Sequence, residues 1–157
     1  MMPVAEIVEV ATADQLENVR SLIRDYQLQL PTWLRFPERE WRDLPGDYAV
    51  PTGALLLATA DDQPVGCAGL RPFPLADACE MKRLYVVPEF RGEGLGKALI
   101  ERILEIACRL KYTRLRLDTQ PDSMQAAVEL YRRFGFKEVA AEPGPHVEGL
   151  SYMELLL

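Results

Sequence analysis

"RGEGLGKALIERIL", residues 91–104, places three glycines in its first six positions, directly ahead of an apolar helical pattern. A glycine inside a helix costs about 1 kcal/mol against alanine. The run therefore weakens the turn it opens unless something is gained there. Upstream, "ACEMKRLYVV" (78–87) reads as a strand ended by Pro88, which cannot donate a ladder hydrogen bond. Downstream, Leu95, Leu99, Ile103, Ile106 and Leu110 form one helical stripe, and Glu105 to Arg109 is a favourable i,i+4 pair. A strand, a tight glycine loop and a helix starting near Gly94 aim backbone N–H groups and the positive end of a helix dipole at one point, an anion site. Glycine permits both the unusual dihedrals and the close approach of a phosphate to main chain. A glycine-rich turn without ligand is the alternative.

Two familiar phosphate loops do not fit. A Walker A loop needs a hydroxyl after Gly-Lys, and Gly96-Lys97 is followed by Ala98. A GxGxxG fingerprint begun at Gly92 or Gly94 puts its third glycine on Lys97 or Leu99. What the sequence does carry is Arg91-x-x-Gly94-x-Gly96 after the strand "LYVVP".

The rest of the chain mixes helices and strands without repeats. "AEIVEVA" (5–11) suits a first strand, and Thr12 or Asp14 caps the helix "DQLENVRSLIRDYQLQL" (14–30), which Pro31 stops. A short amphipathic piece around "PEREWRDL" (37–44) and a loop through "PGDYAVPTG" (45–53) follow. "GALLLATA" (53–60) and "PVGCAGLRPF" (64–73), joined by "DDQ", read as a hairpin. Beyond the glycine helix come the strand "RLRLDT" (114–119) and the helix "PDSMQAAVELYRRFGF" (121–136), with Asp122 or Ser123 as N-cap and Gly135 as a left-handed stop. The strands "FKEV" (136–139) and "LSYMELLL" (150–157) close the chain. This order predicts a single α/β domain over residues 1–157, with a mixed, partly parallel sheet.

Composition narrows the function. At 157 residues, 48% hydrophobic and 27% charged, the chain has the makeup of a globular protein with a substantial core. No apolar run approaches the roughly 18 residues of a membrane span, and "MMPVAEIVEV" lacks the basic-then-apolar plan of a signal peptide. A cytoplasmic location and no membrane partner are the expectation. Cys67, Cys79 and Cys108 show no paired spacing and sit in apolar surroundings, predicting buried thiols, and His146 alone offers too few partners for a metal. Residues 1–78 carry 12 acidic and 6 basic side chains, against 12 of each in residues 79–157. An acidic half repels nucleic acid and attracts amines, although an acidic surface with no such role reads the same way.

"MKRLYVVPEFRGEGLGKALIERILEIA" (81–107), followed by "LDT" (117–119) and "AAVELYRRFGF" (126–136), resembles the GNAT superfamily of acyl-CoA-dependent N-acyltransferases. "VRSLIRDYQ" (19–27) and "LPGDYAVPTGALLLA" (44–58) are similar to a bacterial branch of small members. The resemblance implies a centrally splayed sheet flanked by helices. It implies that Arg91, Gly92, Glu93, Gly94, Leu95, Gly96 and Lys97 cradle the pyrophosphate of acetyl-CoA, chiefly through backbone N–H groups. It also implies that the pantetheine arm pairs with the main chain of Leu84, Tyr85 and Val86.

For the chemistry, the resemblance points to Tyr131 as proton donor to the departing thiolate and to Glu80 as the base that takes the amine's proton. A core tyrosine and a strand-face ion pair are the respective alternatives, since Ala127, Leu130, Tyr131 and Phe134 share helical spacing. Strand alternation puts Glu80 on the face of Val86 unless a bulge intervenes. Two positions depart from relatives: Met124 stands where many have asparagine, and Thr119 where another subgroup has glutamate. The acceptor pocket is expected from residues 20–50 and the loop 140–150, with Tyr26, Trp33, Phe36, Trp41 and Tyr48 as lining or core. Asp25, Glu38, Glu40, Asp43 and Asp47 are candidates to hold a cationic acceptor. The function implied is transfer of acetyl from acetyl-CoA, without a metal, to a small-molecule or amino-acid amine in a ternary complex. A protein acetyltransferase and a non-catalytic acyl-CoA sensor are the alternatives. A homodimer through "LSYMELLL" is left open.

Overall fold

The computed structural model describes residues 3–122 and 124–157. Strand β1 (Glu6–Glu9) leads into helix α1 (Ala13–Leu28) and the short α2 (Arg39–Arg42). Strands β2 (Ala54–Ala60), β3 (Gln63–Pro72) and β4 (Ala78–Val86) follow. Then come α3 (Leu95–Arg109), β5 (Arg114–Thr119), α4 (Gln125–Phe134), β6 (Lys137–Val139) and β7 (Ser151–Leu156). The seven strands form one sheet in the order β1-β2-β3-β4-β5-β7-β6. Only β4 and β5 run parallel.

Local chemistry sets most boundaries. Thr12 caps α1 in a capping box: its Oγ1 accepts from Gln15 N at 3.1 Å, and Gln15 Oε1 accepts from Thr12 N at 3.0 Å. Asp61 and Asp62 both take left-handed φ values, 48° and 62°, which turns β2 into β3 in two residues. Gly135, at φ 98°, ends α4.

The N-terminus of α4 departs from expectation. Its N-cap is Met124, which makes no side-chain cap hydrogen bond, while Asp122 lies in a turn ahead of it. Ser123, the other expected cap, is outside the described residues. The pair Glu105–Arg109 is also replaced: Arg109 reaches Glu9 of β1 at 2.9 Å, and Glu105 lies 3.8 Å from Arg102. A tertiary carboxylate outcompetes the local one.

The middle of the sheet is buried on both faces, and β2 shows how. Leu56 and Ala58 pack toward α3 with Leu99, Ile100 and Ile103, while Leu55 and Leu57 pack toward α1 with Val19, Leu22 and Ile23. Cys67 and Cys79 are buried as expected, whereas Cys108 is exposed. Strand β7 lies inside the sheet between β5 and β6, and its Met153 is buried in the core. Its backbone pairs with β5 along its whole length and with β6 over Tyr152, Met153 and Glu154.

The feature that makes a site is the parting of the two parallel strands. Strand β4 pairs with β5 only from Ala78 to Glu80, opposite Arg114 to Arg116. From Met81 onward β4 keeps β3 on one side and has no strand on the other. The sheet is splayed at its centre.

Candidate active site

A cleft of about 670 Å³ fills that wedge, between β4, the end of β5, the start of α3 and one face of α4. Its floor and lip follow from the glycine loop. Val87 leads into one 3-10 turn, Pro88–Phe90, and Gly92 then takes φ 81°. Gly94, at φ 83°, is the N-cap of α3 and offers no side-chain cap. The N–H groups of Leu95, Gly96 and Lys97 thus have no intrahelical acceptor and form the positive N-terminal end of α3. A Cβ added at Gly92 or Gly94 would meet nothing within 4 Å, so these glycines are required for their dihedrals and not for space. Gly96 has no such dihedral need, and leaving out its side chain keeps the mouth of the cleft clear.

Of the residues expected to hold the donor, Leu84, Tyr85, Val86, Arg91, Gly92, Gly94, Leu95, Gly96 and Lys97 all border the cleft, and Glu93 does not. The backbone direction at Val86 is fixed by the ladder: Val87 N donates to Val65 O at 3.0 Å while Val86 stands opposite Gly66. Val86 therefore points its own N–H and C=O away from β3, into the wedge. Its carbonyl accepts from Arg91 Nε at 2.9 Å. Arg91 Nη2 also donates to Gln29 Oε1 at 2.9 Å, and Gln29 Nε2 donates to the Tyr85 hydroxyl at 2.7 Å. This chain of bonds ties α1 to the lip of the cleft.

Tyr131 meets both of its sequence readings. Its ring is 7% exposed, belongs to the core and stands edge-on to Phe136 at 5.8 Å. It also borders the cleft, where its hydroxyl makes no hydrogen bond among the described residues. Burial pushes its pKa well above the ordinary tyrosine value, so the hydroxyl keeps its proton.

Glu80 is not brought to this cleft. Its Oε1 accepts from Arg71 Nε at 2.7 Å, at the foot of β4 where the strands are still paired. The reason is a bulge. Between Cys67 and Gly69 of β3, strand β4 advances from Tyr85 to Lys82, one residue more than its partner, and Arg83 takes φ 60°. Cys79 and Met81 face α3 below the bulge, and Leu84 and Val86 face it above. Glu80 therefore lies on the opposite face from Val86, contrary to simple alternation.

The carboxylate that does border the cleft is Asp118, the only one among the described residues that line it. Lys82 Nζ reaches it at 3.0 Å across the splay. Thr119 and Met124 border the cleft beside it, with Thr119 Oγ1 3.8 Å from Met124 Sδ. On the far side Tyr26 stands edge-on to Tyr85 at 5.3 Å and packs on Phe36 at 6.1 Å. Among the aromatic residues of the segment 20–50 only Tyr26 borders the cleft; Tyr48 is buried in the core and Trp33 is 53% exposed. None of Asp25, Glu38, Glu40, Asp43 and Asp47 lines it, and neither does the loop 140–150. Sequence reasoning missed Lys82, Arg83 and Gln29, whose roles arise from contacts between distant segments. Among the described residues no group of His, Cys, Asp and Glu is placed to hold a metal ion, and no helix is long and apolar enough to cross a membrane.

Known proteins share this architecture. The model of the acetyltransferase (GNAT) family matches residues 16–136, from α1 through the glycine loop to the end of α4. An uncharacterised N-acetyltransferase of Schizosaccharomyces pombe is 34% identical over 151 residues, covering 93% of this chain and 91% of that protein. The N-acetylaspartate synthetase of Danio rerio is 34% identical over 98 residues, 62% of this chain but 34% of that longer protein. In fold, the ribosomal-protein-alanine N-acetyltransferase of Brucella melitensis superposes with a TM-score of 0.77 at 22% identity, covering 97% of this chain and 99% of its own. The family model spans every element that builds the wedge and the S. pombe relative nearly the whole chain, so this chain belongs to the GNAT family of acetyltransferases.

Proposed function

We propose that the enzyme moves the acetyl group of acetyl-CoA to a primary amine of a small molecule or amino acid, by direct attack while both substrates are bound. The observation that carries this is the convergence of three elements on one cleft: the open backbone edge at Val86, the unpaired N–H groups opening α3, and the hydroxyl of Tyr131. The α3 N-terminus and the loop 91–97 hold the pyrophosphate, since N–H groups at a helix start favour negative charge. The edge of β4 receives the pantetheine arm as a strand would. Arg91 gives up the Val86 carbonyl when the arm pairs there.

Catalysis then requires two proton movements. As the C–N bond forms and the C–S bond breaks, the leaving thiolate, with an intrinsic pKa of about 8.5, takes a proton or a hydrogen bond from Tyr131. An alkylamine is mostly protonated near neutral pH, and the proton it must lose goes to Asp118, directly or through water. Asp118 takes over the part that the family resemblance gave to Glu80, because Glu80 is tied to Arg71 outside the cleft. One similar protein is named an N-acetylaspartate synthetase and one neighbour in fold a ribosomal-protein-alanine N-acetyltransferase, so the acceptor must be argued from this cleft.

The test is thiol release from acetyl-CoA against pooled amino acids, polyamines, aminoglycosides and lysine peptides. Release that requires an amino-acid or other small-amine pool supports the proposal. Release only with peptides overturns the acceptor class, and silence in every pool overturns turnover itself.

A further inference from the structure

We infer that the acceptor amine also carries a carboxylate, and that Arg83 is the residue that binds it. The inference rests on the acetyl-transfer reading of the cleft and names the acceptor class for that same site.

Arg83 sits at the β4 bulge with φ 60°, a left-handed conformation that costs an arginine about 1 kcal/mol or more. The bulge takes it out of the strand's alternation and sets it among the residues that border the cleft. From behind, the guanidinium is held in place: Cζ lies 3.8 Å from the centre of the Phe36 ring, and Nη2 donates to Glu40 Oε2 at 3.2 Å. The side chain is only 12% exposed. Among the described residues its fork makes one contact, from Nη2 to one carboxylate oxygen, which leaves Nη1 for a ligand, while the unpaired Nε is enclosed by protein. A guanidinium presents five donors and binds carboxylates two at a time. This cation is desolvated, oriented and unsaturated.

The surrounding charge selects the same ligand. Lys82 and Arg83 both border the cleft, and Asp118, the single carboxylate among the described residues that line it, is shared with Lys82. Of the acidic residues in the N-terminal half that would favour a polycation, Asp25, Glu38, Glu40, Asp43 and Asp47 do not line the cleft; Glu40 stands against Arg83, and Asp43 pairs with Arg42 at 2.9 Å. An amine with a carboxylate fits both signs. Its ammonium faces Asp118 and the acetyl group, and its carboxylate faces Arg83.

The experiment offers acceptors in pairs that differ only in the carboxylate, free amino acids and their carboxamides, to the full chain with saturating acetyl-CoA. The expected kcat/KM ratio, acid over amide, is about 100-fold in the wild type and below about 3-fold in Arg83→Gln. The variant raises KM for the acid about 30- to 100-fold while kcat and acetyl-CoA affinity hold. Glu40→Gln, which removes only the support behind Arg83, keeps the preference, whereas a purely structural clip would lose activity equally in both variants and on both acceptors. Equal use of acid and amide, or turnover of the amides and not of the acids, overturns the inference alone; turnover of peptides only, or of no acceptor while acetyl-CoA binds normally, overturns the acceptor class or the turnover beneath it as well. Failure to bind acetyl-CoA overturns the function beneath it.

Discussion

Replacing Tyr131 by phenylalanine removes one oxygen from the site and nothing from the core. The hydroxyl has no hydrogen-bond partner among the described residues, so its loss orphans no protein group, and the ring keeps its edge-on contact with Phe136. Global stability should therefore change by less than about 0.5 kcal/mol. Activity behaves differently, because a positioned proton donor contributes about 100-fold or more to the rate. Steady-state thiol release should show kcat down by about 100-fold, equivalent to about 2.7 kcal/mol of transition-state stabilisation, with acetyl-CoA affinity within about twofold. A pH series adds an independent check. Native Tyr131 holds its proton above the ordinary value of 10.0, so the folded state binds more protons than the unfolded chain above that pH. Stability then falls as pH rises past 10, and Tyr131→Phe should lack that part of the fall. A kcat within about threefold of wild type, or a loss shared equally by kcat and donor affinity, would refute the proton-donor role.

Other substitutions separate stability from binding. Gly96→Ala, inside α3 at an ordinary φ with only Leu130 Cδ2 near the new Cβ at 3.9 Å, should raise thermal stability by about 0.5–1 kcal/mol. The same variant should weaken acetyl-CoA binding in calorimetry, because the methyl group enters the mouth of the cleft; unchanged affinity would remove Gly96 from the donor site. At Gly53 a Cβ would lie 2.7 Å from the backbone of Asp47, Tyr48 and Leu70. Gly53→Ala should cost about 1–3 kcal/mol in denaturant unfolding, since main chain cannot yield as a side chain would. An aromatic disulfide reagent at pH 8 should label Cys108 quickly and spare Cys67 and Cys79, whose thiols burial pushes up to about 12. Rapid labelling of all three would mean that the sheet opens far more readily than its packing implies.

The parts of this molecule that could be read from sequence are those in which neighbours along the chain decide the outcome. The glycine loop, the stripe of Leu95, Leu99 and Ile103, the Asp61-Asp62 turn and the Gly135 stop each follow from local geometry, and each stands where the residues put it. Glu80 shows the limit. One residue of bulge at Arg83 reverses the faces of β4, and nothing in "EMKRLYVV" marks an arginine as the residue that will take a positive φ. The bonds Lys82–Asp118, Arg83–Glu40 and Arg91–Gln29 join positions 36, 43 and 62 apart, so each residue looks like an ordinary surface charge until the fold brings the segments together. Net charge likewise records which residues are present and not which of them turn toward the cleft, which is why none of Asp25, Glu38, Glu40, Asp43 and Asp47 lines it.

Every proposed step depends on the donor seating in the wedge between β4 and β5. Backbone hydrogen exchange with and without acetyl-CoA measures that directly. It should slow at Val86 and at the amides of residues 92–97, leaving β6 and β7 unchanged. Binding of acetyl-CoA with no protection at those amides, or with protection elsewhere on the sheet, would contradict it.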